Sequence, residues 1–201
     1  MRKGERRKEE LLEIAYHMFI SNGYENTSVD EIIEKAGIAK GTYYYYFKSK
    51  EQMLEEVIGM MIGKEKLSAE RVLQMPIDPL MKIMGIIRAF SPAREEHTIE
   101  DALHSTGNII MHEKIKKRLI DEAVPLLSQA VKEGIEKEMF SCDHISERVR
   151  FLLILSNEVF NEGTFSGEDV LVFIDTMEKM LGAKNGSMAV IKDLIGDANA
   201  R

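Results

Sequence analysis

The sequence predicts an all-α fold, and three observations carry that prediction. Apolar residues recur every three or four positions along most of the chain, the period of one helix face, and show no sustained period of two such as a half-buried strand requires. No Asn-Gly or Asp-Gly pair joins two alternating apolar runs, so the common short hairpin signal is missing. Helix breakers are sparse, with four prolines in 201 residues, while 44% apolar and 30% charged residues supply enough hydrophobic side chain for one large domain or for a small and a larger one.

The first helix is expected from about Arg7 to Asn22. Leu11, Ile14, Ala15, Met18 and Phe19 form a stripe at helical spacing, and Gly23 supplies the left-handed residue that closes it. Thr27-Ser28-Val29-Asp30 reads as a capping box opening a short helix whose inner face is Val29, Ile32, Ile33 and Ala36, and Gly37-Ile38 interrupts that helix. A second short helix follows from about Lys40 to Phe47. Ser49-Lys50-Glu51-Gln52 reads as a further capping box, starting a long helix that reaches about Gln74. Two short helices joined by a glycine turn and braced by a preceding helix fit either a helix-turn-helix or an ordinary helical hairpin.

Pro76-Ile77-Asp78-Pro79 ends the long helix, and further helices are expected over about 79–91, 99–105, 108–138, 143–162 and 167–182. Pro125 should kink the longest of these, because proline removes a backbone hydrogen bond and crowds the preceding turn. Asp143 is expected to cap the next helix, and Ser166-Gly167-Glu168-Asp169 reads as a third capping box. The tail beyond Gly182 is expected to fray or to form a short helix around Met188 to Ile195.

One cysteine, Cys142, leaves no partner for an intramolecular disulfide and fits a reducing compartment. The charged N-terminus MRKGERRKEE has no signal-peptide character, and no apolar run approaches the roughly 20 residues that span a bilayer. A soluble, cytoplasmic protein without a membrane partner is the expectation. Residues 1–50 hold nine lysines and arginines against eight acidic residues, about +1, so the remainder carries −8 of the net −7, a pattern of an interaction end joined to an acidic body. No glycine-rich phosphate loop, nucleophile elbow or metal-binding pair is present, so neither an enzyme nor a cofactor is expected. His97, His104 and His112 raise the question of a metal, with 97 and 104 on one helical face, but their spacing is not that of a tight ligand set and no metal is assigned.

The segment KGTYYYYFKSKE, residues 40 to 51, carries four consecutive tyrosines. A helix turns about 100° per residue, so four neighbours cannot all enter one core. Ala39, Tyr43, Tyr46 and Phe47 fall on one half of the wheel, and Gly41, Tyr44 and Tyr45 centre the other with Lys40 at its flank. Tyr43 and Phe47 are therefore the core anchors, Tyr44 and Tyr45 face outward, and Tyr46 sits at the boundary. Exposed phenols beside Lys40, Lys48 and Lys50 suit double-stranded DNA, since hydroxyls donate to phosphate oxygens, rings cover sugar and thymine methyl, and lysines neutralise phosphates. Gly41 lets the backbone approach the groove, and the N-terminus of the long helix offers unpaired amides near Lys50. An aromatic strip that anchors a protein partner is the alternative.

The stretch NGYENTSVDEIIEKAGIAKGTYYYYFKSKEQML resembles the DNA-binding signature of the TetR/AcrR family of bacterial transcriptional regulators. That signature reads Gly-Tyr-x-x-Thr-Ser/Thr-Val-x-x-Ile-x-x-x-Ala-Gly-Val-Ser-Lys-Gly-Thr-Leu-Tyr-x-His/Tyr-Phe-x-Ser-Lys-Glu, and the resemblance covers residues 10 to 54, with Ile38, Ala39, Tyr43 and Tyr46 in place of the commoner Val, Ser, Leu and His. It implies a three-helix helix-turn-helix DNA-binding domain over 1–50 and a helical effector-binding and dimerisation domain over 51–201. It implies that Lys40, Gly41 and Tyr44 face base edges and that Ser28, Thr42, Tyr45, Tyr46 and Lys50 contact the backbone. Thr27 is read first as a cap, and Asp30 stands acidic where a base-contacting residue is often found. The basic arm of Arg2, Lys3, Arg6 and Arg7 adds candidate phosphate contacts.

In the body the resemblance is architectural. VPLLSQAVKEGIEKEMF is similar to the family's proline-containing helix, and by analogy the last two long helices form a homodimer interface. Phe151, Ile154 and Leu155 from one helix and Val170, Ile174 and Met177 from the other are the expected interface, although a buried monomer core explains the same periodicity. Thirteen methionines, Met60, Met61, Met81, Met84 and Met111 among them, suit an adaptable apolar pocket, and Met61, Met84, Ile87, His104 and Met111 are the expected effector contacts. The function implied is a DNA-binding regulator, a repressor released from a palindromic operator by an apolar or amphipathic small molecule. The alternative is a helix-turn-helix-fold protein-interaction module in which DNA binding is secondary.

Overall fold

A computed structural model describes residues 3–90, 109–160 and 165–192, with side chains from Gly4 and, after the gap, from Glu113. Eight helices are present among the described residues and no strand is. They are α1 (Lys3–Asn22), α2 (Val29–Ala36), α3 (Lys40–Tyr46), α4 (Lys50–Leu73), α5 (Pro79–Ala89), α6 (Ile109–Glu136), α7 (Ile145–Phe160) and α8 (Gly167–Leu181). The helix expected over 99–105 lies outside the described residues. The described residues form two compact units, one built on residues 3–64 with 109–116 and the other on 65–90 with 117–160 and 165–192.

The first unit closes α1, α2, α3 and the opening turns of α4 around Leu11, Ala15, Phe19, Ile32, Tyr43, Phe47, Met53, Leu54 and Val57, all 1% exposed or less. The expected boundary at residue 50 falls short of its end at Lys64, because Met53, Leu54, Val57, Ile58 and Ile62 of α4 are buried. Gly23 has φ +81° and its N–H donates to Phe19 O, ending α1 as expected. Gly37, at φ +61°, ends α2 by donating to Glu34 O, and Ile38 N–H then bonds Ile33 O. Those two bonds make the short turn that delivers α3.

The capping box of α2 lies one residue beyond the expected one. Ser28 is the N-cap, its hydroxyl accepting from Glu31 N–H, while the Glu31 carboxylate accepts from Ser28 N–H at 2.7 Å. These bonds from Ser28 hold the Glu31 carboxyl below its ordinary range. Thr27 is instead fully buried, and its hydroxyl donates to Gly23 O at 2.8 Å. Its methyl suits burial better than serine, which leaves Ser28 at the helix mouth. At the start of α4 the Ser49 hydroxyl accepts from Gln52 N–H, but the return bond runs from Lys48 N–H to the Gln52 amide oxygen, one residue earlier than a strict box.

The second unit buries Ile83 and Ile86 of α5, Leu127, Ala130 and Val131 of α6, Val149 and Leu152 of α7, and Val170, Phe173, Ile174, Met177 and Leu181 of α8. Asp78 caps α5 by accepting from Leu80 N–H, with Pro79 in the first helical position where its missing N–H leaves no bond unmade. Lys82, 7% exposed, ties α5 to Glu133 of α6 at 2.6 Å. Pro125 lies inside α6. Asp143 does not cap α7. Its carboxylate takes Arg148 Nη2 at 2.7 Å, and Arg148 Nη1 also donates to Met180 O, which joins the start of α7 to the end of α8.

Ser166 and Asp169 form the expected capping box of α8. Its C-cap, Gly182, sits at φ +63°, where a Cβ would lie 2.0 Å from Ser141 O. Only glycine fits both the left-handed backbone and that approach. The tail then folds back. Met188 and Ile191 are buried, and the Glu178 carboxylate, 4% exposed, accepts from Gly186 N–H at 2.9 Å and Met188 N–H at 2.8 Å.

Candidate nucleic-acid interface and ligand cavity

On α3 the tyrosines divide as the wheel requires. Tyr43 and Phe47 are 0% exposed, whereas Tyr44 and Tyr45 stand at 49% and 80%. Burial raises the Tyr43 phenol to about 12, and its hydroxyl donates to Ser49 O, so the bulk that replaces a leucine is accommodated with its polar end satisfied. Tyr46 is half-buried and meets Tyr45 edge to face at a centroid distance of 4.9 Å. Gly41 is exposed with nothing within 4 Å of a built Cβ, and Thr42 is half-buried. The outward side of α3 thus presents two phenols, a bare stretch of backbone and Lys40.

The lysines differ in availability. Lys40 Nζ meets Asp30 Oδ1 at 2.9 Å, and this hydrogen bond and the charge of Asp30 raise its pKa. The pair is exposed on both sides, and Asp30 is a partner that the sequence alone did not assign to Lys40. Lys50 is held inward, donating to Tyr24 O at 2.8 Å and Thr27 O at 3.1 Å, with its ammonium 4.0 Å from the Tyr24 ring centroid. Those bonds brace the α4 N-terminus against the turn before α2. Ser28 is exposed, with its hydroxyl shared with Glu31. Arg6 and Arg7 both bind Glu10, and Arg7 also donates to Ala36 O, so this part of the expected arm is helical and tied down.

Within the second unit lies a cavity of about 210 Å³ lined, among the described residues, by thirteen from α5 to α8 and the tail, including Ile83, Leu127, Leu152, Phe160 and Phe173. Among the described residues Ser156 is its one polar lining residue. Of the expected effector contacts, Ile87 lines it. Met84 is half-buried against the core without reaching it, Met61 belongs to the first unit, and the side chains of His104 and Met111 lie outside the described residues. Periodicity marks Leu152, Phe173 and Met177 as apolar without saying whether they face core or partner. It could not have found the void. His97 and His104 lie outside the described residues, as does the His112 side chain, and among the rest no group of three His, Cys, Asp or Glu side chains is placed to hold a metal.

The expected dimer residues split. Phe151, Ile154 and Leu155 on α7 are exposed, Phe151 at 61%. Val170, Ile174 and Met177 instead face their own unit's core, because α8 turns that stripe toward α5, α6 and α7. Its outward apolar residues are Leu171 and Val172, which the sequence reading did not single out.

Comparison with known proteins places this geometry. Residues 11–57 match the family described as bacterial regulatory proteins, tetR family. The HTH-type transcriptional regulator YhgD of Bacillus subtilis (strain 168) is 32% identical over 134 residues, covering 65% of this chain and 70% of that protein. The chain belongs to the TetR/AcrR family of transcriptional regulators. The HTH-type transcriptional repressor KstR2 of Mycolicibacterium smegmatis is 34% identical over 115 residues, 57% of this chain, and the match spans about half of that repressor at 52% of its length. A crystal structure of a transcriptional regulator from Cytophaga hutchinsonii shares the fold, with TM-score 0.67 at 21% identity over 87% of this chain and 94% of that one. This TetR/AcrR member is therefore a helix-turn-helix DNA-binding regulator and not an enzyme. Among its described residues no helix is long and apolar enough to cross a membrane.

Proposed function

We propose that this regulator is a cytoplasmic homodimeric repressor that binds a palindromic operator through α3 and leaves it when a small apolar effector fills the cavity of the second unit. The observation that carries the operator reading is the division of the α3 tyrosines: Tyr43 and Phe47 anchor the helix while Tyr44 and Tyr45 stay exposed beside Lys40 and Gly41. Lys40, Gly41 and Tyr44 are assigned to base edges, and Thr42, Tyr45, Tyr46 and Ser28 to the sugar-phosphate backbone. Lys50 acts chiefly by bracing α4, so that the helix start can face a phosphate. Support for repression comes from the name of the KstR2 relatives.

One seven-residue recognition helix reads too few bases for a useful specificity, and a two-fold dimer doubles the site with half-sites about 34–36 Å apart. The exposed residues Phe151, Ile154 and Leu155 of α7 with Leu171 and Val172 of α8 supply the self-complementary apolar surface that such a dimer needs. An effector that favours a different spacing of the heads need contribute only about 1–3 kcal/mol of coupling to weaken operator binding five- to 150-fold. The test is selection of duplexes from a random pool at about physiological salt, followed by Tyr44→Ala and Tyr45→Ala. A recovered palindrome whose binding both variants lose, with their melting unchanged, supports the reading. No enrichment by a folded dimer, or unchanged binding by both variants, refutes it.

A further inference from the structure

We infer that the effector is an uncharged molecule of about one ring and a short chain, carrying a single hydroxyl that bonds Ser156. The inference rests on the effector reading of the cavity and deepens it. Three properties of the cavity support it. The first is charge. Among the described residues the lining is Ile, Leu, Val, Phe and Met with Ser156 as its one polar member, and none of them is a lysine, arginine, histidine or carboxylate. A carboxylate or ammonium entering it leaves its hydration shell and meets no counter-charge, which the low polarity of such a site punishes heavily.

The second is size. A cavity of about 150 Å³ lined by aliphatic and aromatic side chains holds one benzene. At about 210 Å³ this one takes roughly eight to ten non-hydrogen atoms by the same scale. The third is the position of the one polar group. Ser156 sits on α7 four residues before Phe160, so both project from one face into the void, with Phe173 and Phe160 edge to face at a centroid distance of 5.0 Å beside them. A ring against these phenyl groups and a hydroxyl at Ser156 satisfy the described lining. The buried Glu178 is not a lining residue, and its carboxylate is already taken by two backbone N–H groups.

The probes are 3-phenylpropan-1-ol, 3-phenylpropanoate, 3-phenylpropylammonium and propylbenzene, which share ring and chain and differ in the end group. Binding to the full chain is read by calorimetry, and release of the selected operator is read separately. The alcohol is expected to bind, with each charged analogue at least about a hundredfold weaker. Ser156→Ala is expected to weaken the alcohol about two- to tenfold while leaving propylbenzene unchanged, the signature of one neutral hydrogen bond. The ligand class is overturned if a charged analogue binds as tightly as the alcohol, if none of the four binds to protein that holds its operator, or if Ser156→Ala weakens alcohol and hydrocarbon alike. Binding of the alcohol without operator release leaves the class standing and refutes the effector role. Because the comparison among probes uses the unaltered protein, a variant that failed to fold would not obscure it.

Discussion

Runs of consecutive apolar or aromatic residues occur on both α3 and α8, and they divide between core and surface for different reasons. On α3 the run Tyr43-Tyr44-Tyr45-Tyr46-Phe47 is preceded by Lys40 and Gly41, so a polar side exists and helical period marks Tyr43 and Phe47 as the inward pair. On α8 the run Val170-Leu171-Val172-Phe173-Ile174 is apolar all the way round. Two faces of that helix are equally hydrophobic, and only the packing of α5, α6 and α7 decides that Val170, Ile174 and Met177 turn inward while Leu171 and Val172 stay out. Hydrophobic spacing assigns a face where polar residues bound it, and not where a helix has both a core side and a partner side.

The sharpest way to break this comparison is at the inward residues. Tyr43→Ala removes a fully buried ring and is expected to destabilise the first unit by about 3–5 kcal/mol in denaturant unfolding, whereas Tyr45→Ala should change stability by less than about 0.5 kcal/mol and lose DNA binding instead. Equal destabilisation by the two would mean that the inward and outward sides of α3 have been misassigned. On α8, Ile174→Ala is expected to destabilise by about 2–4 kcal/mol, while Phe151→Asp on α7 should leave the fold intact and turn the dimer into monomer by sedimentation. A dimer that survives Phe151→Asp but dissociates with Met177→Ala would restore the interface first expected from the sequence.

Smaller effects test the local geometry. Ser28→Ala should lower stability by about 1 kcal/mol through loss of the α2 cap, and Thr27 is not positioned to replace it. Raising pH should weaken the first unit through Tyr43. Folding holds its phenol neutral up to about 12, against an ordinary value near 10, so the stabilisation is whole below pH 10 and lost as pH climbs through 12. Tyr43→Phe should remove that part of the alkaline loss, read from melting curves between pH 9 and about 12. Asp30→Asn is the mildest change. It frees Lys40 and removes a negative charge from the DNA-facing surface, so its melting should match the parent while affinity for unrelated duplex rises several-fold.

What was legible in the sequence follows from the range of the interactions involved. The helices, the left-handed Gly23, the break at Gly37, the Ser166 capping box and the inward Tyr43 and Phe47 all rest on residues within a few positions of one another. Where two neighbouring residues compete for one role, the same local rules miss by a position, as with Thr27 and Ser28, because the loser is drawn into a buried bond with Gly23. The candidate DNA surface was legible for the same local reason, since a dense motif on two short helices leaves few ways to face the tyrosines.

The rest depended on residues far apart in the chain. That Lys50 braces Tyr24 and Thr27, that Asp143 holds Arg148 instead of capping α7, and that Glu178 gathers the tail are all polar choices between several partners of equal chemical fitness. The cavity is the furthest from sequence, because a void is what side chains from α5, α6, α7, α8 and Ile191 fail to fill, and no single residue encodes it. The sequence by itself determined the helices, their caps and the outward side of α3, since these depend on neighbours along one helix. Only the tertiary structure decided which side of α8 is core, which lysine is held inward and where the cavity lies, since those depend on which helices meet.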